Sequence, residues 1–177
     1  MTSHPQPAVI LETSRTRLRE WAWSDLDALA GICSDPETTR HIHPWGPMTR
    51  ELVAEKLGAR IAHQREHGFS VWALDLRESG TLIGAVGLQQ LEGTDEIESA
   101  WLVARLHWGK GLATEAARAS LTLGFERFQL PRILAATLPE NIASIRVMEK
   151  LGMSRVENIT RRGLEHVCYV AMPSETL

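Results

Sequence analysis

The stretch "LHWGKGLATEAARASL", residues 106–121, decides the reading of this chain. Gly109 and Gly111 flank Lys110, and an alanine-rich helical pattern follows at once. Two readings account for so bare a backbone at a helix start. One is a tight turn that carries nothing. The other is a phosphate cradle, because the first N–H groups of a helix are unpaired and lie at the positive end of its dipole. Without side chains at 109 and 111, phosphates can approach the N–H groups from Gly109 to Ala113. The spacing excludes two better-known cradles. "GKGLAT" does not supply the G-x-x-x-x-G-K-[ST] of a Walker loop. A dinucleotide fingerprint needs a third glycine where Thr114 stands.

Outward from the loop, apolar periodicity orders the chain. "RTRLREWA" reads as a first strand, with residues 1–12 a loosely attached N-terminus. Arg15, Arg17 and Arg19 alternate along that strand and read as one solvated face. "SDLDALAGICSD" reads as a helix capped by Ser24, with Asp27 three residues on. Thr49 caps a second helix that ends at Gly68. "FSVWALDL" and "TLIGAVGLQQL" form an antiparallel hairpin, and "EIESAWLV" is the next strand. The glycine loop and its helix lead to the strand "RILAATL" and the helix "NIASIRVMEKLGM". Two strands near "SRVENIT" and "HVCYVAM", split by "RRG", close the chain. The order β-α-α-β-β-β-α-β-α-β-β predicts an α/β fold, a mixed sheet with helices on both faces. The unit from Glu96 to Leu138 is where a parallel pair with a crossover helix is expected.

The totals narrow the class. At 177 residues the chain fits one domain, 1–177, with room for a real core. Its net charge of −3 gives no basic excess for binding nucleic acid. Cys33 and Cys168 sit in unrelated contexts, which argues against a disulfide framework or a zinc site. No signal peptide is readable and no run approaches the ~18 apolar residues of a spanning helix, so no membrane partner and a cytoplasmic location are expected.

"WGKGLATEA" followed by "LPENIASIRVMEKLGM" resembles the GNAT superfamily of acetyl-CoA-dependent N-acetyltransferases. More narrowly, it is similar to the branch of the Rim-type ribosomal-protein N-terminal acetyltransferases. "SRTRLREWAWSDLDALAGICSDPETTR" and "IGAVGLQQL" arrive in the family's order, so the resemblance covers nearly the whole chain. The superfamily's Q/R-x-x-G-x-G/A signature falls on Trp108, Gly109, Lys110, Gly111, Leu112 and Ala113. Trp108 stands where glutamine or arginine is usual, though W-G-x-G is frequent in the Rim-type branch. The resemblance decides between the two readings of the loop in favour of the cradle, with Thr114 as its continuation.

The resemblance also implies where the chemistry lies. Two parallel strands, here "ESAWLV" and "ILAATL", splay to admit the pantetheine arm. Backbone groups around Trp101, Leu102 and Val103 then bond that arm and the thioester carbonyl, where an N–H stabilises the oxyanion. Asn141 matches an asparagine that meets the cofactor arm and reads equally as a helix N-cap. A side-chain amine titrates near ~10 and an N-terminal amine near ~8, so a base must collect a proton before attack. Glu98 aligns with an acidic position on the cofactor strand. It is the candidate base against an ordinary reading as a solvated strand glutamate, with Glu96 as substitute. Many GNAT enzymes carry a tyrosine acid where this chain has Met148, and its only tyrosine is Tyr169. Ser144, one turn earlier, matches a serine of the Rim-type branch and is the candidate to meet the thiol. Lys110, Arg146 and Lys150 are candidates to meet phosphates.

The expectation is therefore acetyl transfer from acetyl-CoA to a primary amine by direct attack in a ternary complex. The acceptor is a protein N-terminus or a small-molecule amine, and a homodimer is compatible with the sequence. A non-catalytic acyl-CoA-binding regulator is the alternative. His41 with His43, and His63 with His67, are pairs without a third ligand, so no metal is expected. His43 and Trp45 lie in the connection that borders the acceptor pocket in this family.

Overall fold

The computed structural model describes residues 7–42 and 46–173, so His43 and Trp45 lie outside the described residues. Eight strands form one sheet: β1 (Val9–Glu12), β2 (Thr16–Arg19), β3 (Val71–Leu76), β4 (Leu82–Gln90), β5 (Ile97–Val103), β6 (Ile133–Thr137), β7 (Ser154–Arg161) and β8 (Leu164–Ala171). Their order across the sheet is β1-β2-β3-β4-β5-β6-β8-β7. All neighbours are antiparallel except β5 and β6, which run parallel on either side of a helix. This is the expected mixed sheet. Among the described residues no helix is long and apolar enough to cross a membrane.

Helices α1 (Leu26–Cys33), α2 (Pro36–Thr39) and α3 (Arg50–His67) cover one face, and α4 (Leu112–Glu126) and α5 (Ile142–Lys150) the other. Small residues let α4 approach the sheet closely: Ala116, Ala117, Ser120, Leu121 and Gly124 are buried along it. α3 follows its sequence signals, with Thr49 Oγ1 accepting from Leu52 N–H and Gly68 ending it at φ 78°. α5 begins with Asn141 as N-cap and is followed by Gly152 at φ 76°.

Three expectations change at the N-terminal end. Val9–Glu12, read as loosely attached, pair with β2. Four residues, the middle two half-buried and the outer two exposed, are too few to show a period. α1 is not capped by Ser24. Its entry is a 3₁₀ turn over Trp23–Asp25, and the Asp25 carboxylate accepts from Ala22 N–H at 2.9 Å. The arginines of β2 are not one solvated face. Arg15 pairs with Glu115, Arg17 with Glu12, and Arg19 with both Asp25 and Asp75. Arg19 Nε and Nη2 meet Asp75 at 2.7 and 3.2 Å, while Nη1 and Nη2 meet Asp25 at 2.8 and 3.0 Å. One guanidinium thus joins β2, β3 and the turn that launches α1.

Because both acids are largely shielded, Arg19→Met strands two carboxylates. Removing one partner of a buried pair costs about 3–5 kcal/mol, roughly 6–20 °C in Tm at this length. Arg17→Met breaks a half-exposed pair and shifts stability by less than about 1 kcal/mol. Thermal denaturation of the two variants measures the contrast directly.

Candidate active site

The loop before α4 is bare for a reason of handedness. Gly109 and Gly111 both have φ of 74°, a left-handed backbone in which a side chain is strained. A Cβ at Gly109 would meet nothing within 4 Å, and one at Gly111 only Arg15 Nη2 at 3.7 Å, so the space above the loop is open. Gly111 is the N-cap of α4 and offers no side-chain acceptor to the first-turn N–H groups. They face the opening as donors.

The loop is held from both sides. Trp108, where the signature usually has glutamine or arginine, donates its indole N–H to the Val103 carbonyl at 2.6 Å. Arg15 Nη1 donates to the Lys110 carbonyl at 2.8 Å. Glu115 accepts from Thr13 Oγ1 (2.6 Å), Arg15 N–H (2.9 Å) and Arg15 Nε (2.7 Å). Burial pushes the Glu115 carboxyl up, but these donors outweigh it and hold it below the usual carboxylate range. The first turn of α4 is thereby pinned to the β1–β2 turn.

A cavity of about 950 Å³ opens beside the loop. Pairing between β5 and β6 consists of one bridge, Glu98 to Leu134. Beyond it, Ser99–Val103 on one strand and Ala136–Leu138 on the other line the cavity. Alternation along β5 sends Ala100 and Leu102 toward α1 and α3, and Trp101 and Val103 toward α4 and α5. Both sets are on the cavity wall, so the opening connects the two faces of the sheet.

Of the residues singled out in the sequence, Glu98, Trp101, Leu102, Val103, Trp108, Gly109, Gly111, Leu112, Ala113, Thr114, Asn141 and Ser144 all line this cavity. Arg146, Met148 and Lys150 do so too. Lys110 does not; only its carbonyl is engaged, by Arg15. On the α5 side, Asn141 Nδ2 donates to Thr137 Oγ1 (2.9 Å) and Ser144 Oγ (3.0 Å), while its Oδ1 accepts from Ser144 N–H. Trp101 Nε1 reaches across the opening to Ser144 Oγ at 3.2 Å.

Glu98 is not a solvated strand glutamate. It is 2% exposed, with Oε1 accepting from Gln89 Nε2 (2.9 Å) and Oε2 from Arg161 Nη1 (3.0 Å). Burial raises its pKa above the ordinary value, against the opposing charge of Arg161 and the Gln89 hydrogen bond. Glu96 is committed to an ion pair with Arg132 and lies off the cavity wall. Tyr169 is buried in the core, also off the wall. Both cysteines are buried, and burial pushes both thiols up. His63 engages the Phe69 carbonyl through Nδ1 and accepts from Gln90 N–H through Nε2. Gln89, Arg161, Arg15 and Glu115 were not legible as site residues. Their partners lie 9, 63 and 100 positions away in sequence.

A sheet opened at a single bridge thus lies beside an uncapped helix start. The chain belongs to the GNAT family: residues 15–154 match its acetyltransferase domain. It is 34% identical over 154 residues to the uncharacterized protein YkkB of Bacillus subtilis, covering 85% of this chain and 88% of that one. It is 33% identical to the uncharacterized N-acetyltransferase YnaD of the same organism, covering 82% of each. An acetyltransferase structure from Agrobacterium tumefaciens superposes with a TM-score of 0.82 at 26% identity, over 97% of this chain and 98% of that one. Mycobacterium smegmatis RimJ, solved with a CoA disulfide, shares the fold with a TM-score of 0.78 at 20% identity, over 96% and 90% of the two chains. The protein is an acetyl-CoA-dependent N-acetyltransferase.

The residues present suit that cosubstrate. The open, uncapped loop offers N–H groups for a pyrophosphate. Ser99 Oγ is buried on the cavity wall with no hydrogen-bond partner among the described residues, as a polar group awaiting a ligand would be. Acetyl-CoA at ~100 times its dissociation constant adds about 2.7 kcal/mol, which raises Tm by roughly 5–11 °C. Gly111→Trp abolishes that shift in a melt with and without acetyl-CoA. Glu115→Ala, which loosens the loop from below, raises KM for acetyl-CoA more than it lowers kcat.

Proposed function

We propose that the protein acetylates a primary amine by direct attack within a ternary complex. The donor is held on the α4–α5 side of the sheet, and the amine enters from the α1–α3 side. The observation that carries this reading is the position of Glu98. It is a buried carboxylate on the wall of the same cavity as the glycine loop, at the bridge where the two strands part. The reading of site residues rests on that geometry and on the family resemblance.

Acetyl-CoA supplies an activated thioester carbonyl. Backbone groups of Trp101 and Val103, on the edge of β5 that β6 leaves unpaired, are the donors and acceptors for the cofactor arm, while those of Leu102 face β4. An N–H among them serves the carbonyl oxygen as charge develops there. The Val103 carbonyl already accepts from Trp108, which leaves that group one lone pair for a ligand. The N–H groups from Gly109 to Thr114 hold the pyrophosphate, with Arg146 and Lys150 at the rim.

Glu98 takes the proton that the acceptor must lose. Gln89 and Arg161 fix both carboxylate oxygens in place, and each oxygen retains acceptor capacity for an amine or a water. A carboxyl raised by burial is a stronger base than a surface glutamate, which suits proton collection near neutral pH. Ser144 works at the other end. Its Oγ accepts from Trp101 and Asn141, so its own O–H is the hydrogen left to donate toward the departing sulfur. A thiolate is a modest base, so that help is small. Nothing in the fold favours the non-catalytic alternative.

Glu98→Gln lowers kcat by about 10²–10⁴-fold, whereas Ser144→Ala lowers it by no more than about tenfold. Two ascending limbs are expected in the rate–pH profile, the upper from the acceptor amine and the lower from Glu98, above the usual carboxylate range. Arg161 favours the ionised form of Glu98. Arg161→Gln therefore raises the Glu98 pKa further and moves the lower limb to higher pH. Glu98→Gln removes that limb, and steady-state thiol release across pH reads both effects.

A further inference from the structure

Two cations on the α1–α3 side of the cavity have no ion-pair partner among the described residues. Lys56 and Arg60 lie one turn apart on α3, both half-buried and both on the cavity wall. The Arg60 guanidinium lies over the Trp21 ring, its Cζ 5.4 Å from the ring centroid. Trp21 is itself locked by an indole N–H donated to the Val71 carbonyl at 2.6 Å. A ring contact uses none of the guanidinium's five N–H donors as an ion pair would. Among the described residues no carboxylate or carbonyl meets those donors, and none meets the Lys56 ammonium.

Their neighbours are different. Arg161 is paired with Glu98 and Arg162 with Glu92. Like charges at i and i+4 repel, and burial disfavours the charged form of each. Burial lowers the Lys56 pKa, the charges of Arg162 and Arg60 lower it further, and Glu55 opposes them. Arg60 is shifted down by burial, with only Cys33 opposing. Arginine stays protonated regardless. The pair is a standing positive charge directed into a cavity, with an anion as its missing complement.

The rest of that wall describes what else the ligand carries. Leu29, Cys33, Val53 and Val71 are apolar and enclose the region around the two cations. Glu98 lies on the same wall, but its carboxylate is held by Arg161 and Gln89, not by Lys56 or Arg60. Base and cations are thus two separate points of one cavity. We infer that the acceptor is a small primary amine that also carries an oxyanion, a carboxylate or a phosphate, seated on Lys56 and Arg60 while its amine faces Glu98. Guanidinium geometry matches either oxyanion. This rests on the reading of Glu98 as the group that receives the amine.

The test pairs each anionic amine with its neutral counterpart: phenylalanine with phenylalaninamide, β-alanine with β-alaninamide, and O-phosphoethanolamine with ethanolamine. Thiol release from acetyl-CoA gives kcat/KM, referred to the unprotonated amine. At least one anionic member is favoured tenfold or more, and Arg60→Gln or Lys56→Gln cuts that ratio at least tenfold. The carboxylate and phosphate arms distinguish the two oxyanions. Neutral members used as well as anionic ones, amidated peptides included, overturn the inference, as does a ratio that survives both substitutions.

A second readout does not depend on turnover. N-acetylphenylalanine and inorganic phosphate are added at millimolar concentration to the wild type and to Arg60→Gln in thermal melts. Stabilisation by either, lost in the variant, supports the subsite even if no amine is acetylated, and in that case the Glu98 reading falls alone. No stabilisation by either, with no anionic preference in turnover, overturns the inference. Lys56→Gln, relieved of the repulsion, leaves the apo Tm unchanged or raises it by about 1–3 °C; a clear fall marks Lys56 as a structural member and counts against the subsite.

Discussion

The single bridge between Glu98 and Leu134 is the constraint on which the site depends. Every other strand pair in the sheet runs through three or more register positions. A parallel pair that stops after one bridge leaves backbone donors and acceptors in the middle of a sheet, where burial without partners is costly. That cost is tolerable only where something else meets those groups. The same interruption makes the cavity that joins the two faces. In the function proposed above, backbone chemistry for the donor and access for the acceptor both follow from one missing stretch of ladder. The five residues of β6 pair along their whole length with β8 on the other side, so the interruption lies only toward β5.

Much of this was legible in the chain and part was not, for physical reasons. The long apolar strands and the capped helices declared themselves by period, and Thr49, Asn141 and Gly68 act where their types predicted. Gly109 and Gly111 were read as a cradle on resemblance; the structure adds the cause, a left-handed backbone under open space. β1 and α2 escaped because four residues cannot display a period. The arginines of β2 were misread because alternation tells which side a residue faces but not what faces it. Arg19 meets an acid 56 residues away and Arg15 one 100 residues away. Glu98 was found through its place on the cofactor strand, but its burial and its partners Gln89 and Arg161 had no local signature. Long-range polar pairing is the part of a fold that one-dimensional pattern carries least.

Two departures from the family pattern find structural counterparts. Where glutamine or arginine is usual, Trp108 ties the loop to the end of β5 through its indole N–H. It fixes the mouth of the cradle by a hydrogen bond rather than by a charge. Where a tyrosine acid is usual, Met148 is 1% exposed and packs in the core cluster beneath α5. The hydroxyl on that helix belongs instead to Ser144, set by Asn141 from its own turn and by Trp101 from across the opening. Trp101 thus belongs to both walls of the cavity, carried on β5 and bonded to α5.

The charges around the cavity separate into two kinds, and the difference has a direction. Arg19 with Asp25 and Asp75, and Arg161 with Glu98, are closed pairs in which each largely buried charge has its complement, and Arg15 with Glu115 is a closed pair with the arginine half exposed. They hold the loop, the entry to α1 and the carboxylate in place. Buried pairs contribute less to stability than to geometry, since desolvation offsets much of their attraction. Lys56 and Arg60, both half-buried, have no such complement among the described residues. A fold selected for stability alone would pair them or replace them with apolar groups of the same volume. On the inference drawn above, keeping them costs stability in the free protein, and a bound anion offsets that cost.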